Sequence, residues 1–202
     1  MMWSRIVIFF GFFAALVAPW PGLNSAYSAW IRALGGATFS WGHQNLDIRF
    51  EAIQRTPSRP LDTRIMLVDN GSRLPDGNRK AAFLDLDMRG IGWVPTAFFA
   101  ALVLATPVPW RRRGRALAWG LGAMHAFVLL TLGVHILKYS GGGTGAVIDG
   151  LDETLVNQID AGFFAAALIW ILVTLRLEDL KGLFEQRPDT KAAIADKGLK
   201  SQ

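Results

Sequence analysis

His125 and His135 stand ten residues apart in one apolar stretch, and they are the first side chains here with chemistry to offer. An imidazole in a membrane helix is costly, and it marks either a functional site or a hydrogen bond to a neighbouring helix. Haem ligation by paired histidines is one such use. Ten residues advance a helix about 15 Å, so a single haem cannot take both rings. A haem-binding or redox role using His125 or His135 therefore needs a second chain, and bonding to a neighbouring helix is the expected role. His43 has no metal-ligand spacing around it.

Carboxylates come next. Asp85 and Asp87 share one face of an alternating segment, as the acids of an envelope hydrolase or transferase would. The wet face of an ordinary antiparallel strand carries the same pattern. Asp149, Asp152 and Glu153 follow the run Gly141–Gly145. They lack the alternate-position spacing of a calcium loop, and the glycine run lacks the closing Gly-Lys-Ser/Thr of a phosphate-binding loop. A solvated acidic loop and a flexible helix exit are expected there. With no cysteine in the chain, disulfides, thiol nucleophiles, cysteine-ligated zinc and iron–sulfur clusters are excluded. No metal, cofactor or catalytic set is assigned, and a noncatalytic role is favoured.

The elements that would carry these residues are set by hydrophobic clustering. Of 202 residues, 51% are hydrophobic and 18% charged, against about 25% charged in soluble domains. The excess lies in Trp3–Trp20, Ile91–Trp110, Ala116–Leu137 and Ala161–Leu175, none with an ionisable Asp, Glu, Lys or Arg at its centre. Crossing a bilayer takes about 20 residues, so four transmembrane helices are expected. Trp3, Trp20, Trp93 and Trp110 bracket two of them, where indoles favour the headgroup level. Pro19 directly after Ala18 opposes cleavage of the first as a signal peptide.

Arg111, Arg112, Arg113 and Arg115 and six basic residues from Arg176 onward contrast with the acidic stretch Asp149–Asp160. The positive-inside rule then puts both termini in the cytoplasm and residues 21–90 and 139–160 outside a bacterial-type inner membrane. The net charge of +5 is thus topological, and neither nucleic acid nor nucleotide is an expected partner. The bilayer and a membrane or envelope protein are.

Between the first two apolar segments the period changes. Leu23, Tyr27, Trp30, Ile31 and Leu34 form a helical stripe, with Asn24 as N-cap and Gly35-Gly36 as stop. Leu46–Ala52 and Ala82–Met88 then alternate as strands, Arg64–Asp69 reads as another strand between them, and Thr38–Trp41 suggests a fourth. The pair Asn70-Gly71 is expected to end the second strand in a turn. Ile65, Met66, Leu67 and Val68 carry no charge between Arg64 and Asp69, and we expect them to form an exposed edge for a partner strand. Gly120, Gly122 and Ala126, in overlapping rows of small residues, are expected to let helices approach closely.

The expected fold class is a membrane α+β protein: four transmembrane helices with a small antiparallel β domain between helices 1 and 2. Its parts are an anchor (1–20), an outer helix and β meander (21–90), a three-helix block (91–177) and a cytoplasmic tail (178–202). A lone leading helix, an outer strand-bearing segment and a helix block resemble the small membrane proteins associated with bacterial exosortase systems. Asp69-Asn70-Gly71 and Asn157-Gln158 are the nearest features. The resemblance implies an accessory subunit that docks an exported-protein-handling partner, since exosortases themselves rely on a cysteine.

Overall fold

Proline sets the lengths of the apolar helices. In the computed structural model, which describes residues 2–18, 20, 22–40, 46–56, 60–73, 79–140, 146–155 and 159–174, α1 covers Met2–Val17 and stops short of Pro19. A π-helical turn, Arg89–Trp93, feeds α3 (Val94–Ala105), and Pro107 and Pro109 separate α3 from α4 (Trp110–Tyr139). Proline lacks the amide a helix interior needs. α6 runs from Ile159 to Thr174.

These lengths overturn the expectation of four transmembrane helices. At 1.5 Å per residue, the 16 residues of α1 and of α6 reach about 24 Å and the 12 of α3 about 18 Å, against about 30 Å of hydrocarbon. Only α4, with 30 residues and mean hydropathy 1.8 in its most apolar window, is long and apolar enough among the described residues. The apolar windows of the sequence had counted Trp20 and Pro107–Trp110 as membrane span, and those residues lie outside the helices they were assigned to.

The arginine cluster is likewise no loop. Arg111–Arg115 form the first turns of α4, where positive charge opposes the helix dipole. Two of these arginines cap the C-terminal ends of other helices instead. Arg112 Nη2 donates to Thr174 O at 2.6 Å, and Arg113 Nη2 to Thr106 O at 2.9 Å. Trp170 Nε1 ties α6 to the same corner through Thr106 Oγ1 at 2.9 Å. Phe99, Val103, Ala116, Met124 and Ala166 form the core between α3, α4 and α6, while α1 packs along α3.

The strands β1 (Leu46–Ala52), β2 (Thr63–Arg73) and β3 (Arg79–Leu86) form one antiparallel sheet in the order β1-β2-β3. Ile48 pairs with Leu67, and Ile65 with Leu84, so one face gathers Ile48, Ile65, Leu67, Leu84 and Leu86. That face packs on Tyr27 and Ile31 of α2 (Leu23–Phe39) and on Val128, Leu132 and Ile136 of α4. One continuous helix thus serves both cores. A sheet this small needs such a support.

Five local expectations are corrected. β2 runs through Asn70-Gly71 rather than turning there. α2 runs through Gly35-Gly36, and Thr38 and Phe39 belong to its last turn, not to a strand. Gly35 serves packing, since a Cβ there would stand 2.8 Å from Phe50 Cζ. α2 is preceded by Gly22, whose φ of 81° suits glycine, in place of an Asn24 cap. Within the expected outer loop 139–160, Ala146–Leu155 folds as α5.

Candidate functional site

Spacing puts His135 and Lys138 on one face of α4, three residues apart, and Asp149 and Asp152 on one face of α5. The chain brings these two faces together. His135 Nδ1 lies 2.6 Å from Asp152 Oδ1, and Lys138 Nζ donates to Asp152 Oδ2 at 2.6 Å. Lys138 also stands 3.8 Å from Asp149. The Tyr139 ring is edge-on to His135 at 5.1 Å.

Asp152 is 2% exposed, and its charge survives through its partners. Burial alone would raise its pKa, but the hydrogen bonds from Lys138 and His135 outweigh burial and hold the carboxyl below its ordinary range. The ionised carboxylate facing Nδ1 accepts from that nitrogen and fixes the orientation of the ring. A positioned general base has this geometry. Through its bonds to His135 and Lys138, Asp152 fastens α5 to the end of α4.

His125 is held separately. Its Nδ1 lies 2.7 Å from Leu121 O, and the rings of Tyr27 and Trp30 flank it at 6.0 and 6.5 Å. Its neighbour is α2, from the sheet side, and the two histidines do not share a site. No group of three or more His, Cys, Asp or Glu residues suited to a metal is present among the described residues.

No family model, no curated protein and no solved structure matches this chain.

The remaining sequence candidates fall in different places. Ile65–Val68 lie in the central strand, with every residue paired to both β1 and β3. The expected edge is therefore closed: the uncharged run Ile65–Val68 suits a central strand and an edge strand alike, so it could not reveal which strand would be central. Asp85 takes a two-pronged bond from Arg64, at 2.7 and 3.0 Å, on the outer sheet face. Asp87 faces Arg55 at 3.6 Å and accepts from the Arg89 amide at 3.2 Å. The two carboxylates face different arginines. Gly120 faces α3, whereas Gly122 and Ala126 are exposed on the opposite face of α4. His43, Gly141–Gly145, Asn157-Gln158 and the tail 178–202 lie outside the described residues.

Sequence reasoning missed Asp62. Its Oδ2 accepts from the Ser28 hydroxyl at 2.7 Å, and its Oδ1 from Thr63 Oγ1 at 3.0 Å and the Met88 amide at 3.2 Å. This carboxylate thereby joins α2, β2 and the exit of β3. Its position among prolines gave no periodic signal. Only Ser28, an alcohol beside the buried stripe of α2, hinted that a polar partner was needed.

Proposed function

We propose that this chain is a noncatalytic, membrane-associated accessory protein that holds a small sheet domain at the surface of a bacterial-type inner membrane and docks an envelope protein there. The supporting observation is α4. Its first half packs with α3 and α6, and its second half lies beneath the sheet, so the anchor and the displayed domain cannot be separated. Exposed Phe10, Trp119, Phe164, Leu168 and Leu172 supply further apolar surface for lipid. Arginines gather at the start of α4, which supports an orientation with that end inside.

Because the chain has no native cysteine, single cysteines at Gly114 and Gly150 report cleanly on sidedness. The protein should stay in the pellet after alkaline carbonate extraction, with position 150 labelled from outside and position 114 protected. Release by carbonate, or the reverse labelling, overturns the anchoring. The noncatalytic part is tested by Asp152→Asn in cells lacking the native copy. Complete loss of function in a folded, membrane-bound variant would mean that the His135 cluster does chemistry.

A further inference from the structure

The junction between α2 and the sheet encloses a cavity of about 380 Å³, open to the outside, with Arg32, Arg55 and Arg89 in its wall. We propose that this cavity binds a phosphate group carried by an ester, either a phospholipid headgroup or a soluble phosphate monoester.

Two of the guanidinium groups are fixed before any ligand arrives. Arg89 Nη2 donates to Val17 O at 2.9 Å, and Arg32 Nη1 donates to Thr63 Oγ1 at 3.2 Å. Both bonds are to neutral oxygens, so neither charge is cancelled, and among the described residues neither arginine forms an ion pair. Asp62 lies in the same wall, but neutral donors satisfy both its oxygens, and Arg32 reaches only its backbone oxygen, at 3.5 Å. Arg55 is exposed and stands 3.6 Å from Asp87, beyond hydrogen-bond length, so it can swing to a ligand.

The first turn of α2 completes the wall. The amides of Asn24 and Ser25 have no acceptor within the helix, and the positive end of the helix dipole lies with them. Guanidinium forks and helix-start amides match an oxyanion with several acceptor oxygens better than a single carboxylate. Trp20 and Ile53 give the cavity an apolar side for the carbon portion of the ester. The site lies where α1 ends, as the Arg89–Val17 bond shows, and its phosphate chemistry does not depend on the membrane assignment.

The test uses the full-length chain in detergent with two probes. One arm titrates glycerol 1-phosphate calorimetrically. The other offers mixed micelles of phosphatidylglycerol and phosphatidylcholine and counts the lipids retained by native mass spectrometry. Arg55→Gln should weaken binding about tenfold, the loss of one charge-assisted hydrogen bond, while its melting curve stays unchanged. Arg115→Gln, at the far end of α4, should change nothing. Retention of phosphatidylglycerol alone assigns a lipid headgroup, and binding of glycerol phosphate alone assigns a soluble ester. Binding of neither probe, no effect of Arg55→Gln, or an equal effect of Arg115→Gln overturns the proposal.

Discussion

The Phe99 ring fills the space that a side chain at Gly120 would need. A Cβ there would overlap Cζ and stand 2.6 Å from Cε2, and Phe99 is itself fully buried. Gly120→Val should therefore force α3 and α4 apart, costing about 1–3 kcal/mol as other overpacked cores do. Gly122→Val, with open space around it, should cost little. Denaturant titration of the two variants checks this, and equal destabilisation would disprove the helix contact.

The attachment of α5 should depend on pH. Burial pushes the Asp152 carboxyl up, but bonds from Lys138 and His135 pull it further down, so its folded pKa lies below the unfolded value. Stabilisation by such a group is present above the unfolded carboxylate pKa and is lost as pH falls through the folded one. Protection from hydrogen exchange in Ile148–Glu153, relative to the intrinsic rate at each pH, should thus be high at neutral pH and fall below about pH 4, where unperturbed carboxylates protonate. Asp152→Asn should lose that protection at both. An unchanged neutral rate in that variant would remove the carboxylate from the account.

Tyr27 carries an unused hydroxyl. It is buried against Gly92, and neither its oxygen nor the Thr96 hydroxyl nearby has a partner in hydrogen-bond geometry. Burial pushes its pKa up to about 12. Leaving such a group unsatisfied costs about 1–3 kcal/mol, so Tyr27→Phe should be neutral or stabilising. A markedly lower melting temperature would show that the hydroxyl is bonded. Ultraviolet titration should find one of the two tyrosines un-ionised until about pH 12.

Slow exchange is also expected at Ile65–Val68, whose amides and carbonyls are paired on both sides. The outer amides of β1 and β3 should exchange faster, because those strands are the edges of the described sheet. Fast exchange throughout β2 would mean the strand order is different.

Local pattern alone was enough for three of the four expected strands and for the stripe of α2. Leu46–Ala52 alternates with a period of two, and Tyr27 and Ile31 recur one helical turn apart, because each pattern records which face meets apolar neighbours. Composition likewise marked α4 as apolar over enough residues to cross a bilayer. The sequence overcounted spans because hydropathy sums ignore where the backbone stops, and the prolines at 107 and 109 shorten a run that remains apolar to Trp110. Strand order was invisible to it, since a central strand and an uncharged edge strand share the same residues.

The sites belong to the tertiary structure. His135 and Asp152 were each noticed, one as a costly imidazole and one as part of an acidic loop, but 17 residues and a change of helix lie between them. Asp62, Ser28 and the three cavity arginines come from α2, the segments flanking the strands and the turn before α3, and no spacing in the chain relates them. A buried carboxylate is tolerated only where several donors converge on it. That convergence is set by how α2 and α4 cross beneath the sheet, a relation between distant segments that a linear pattern does not carry.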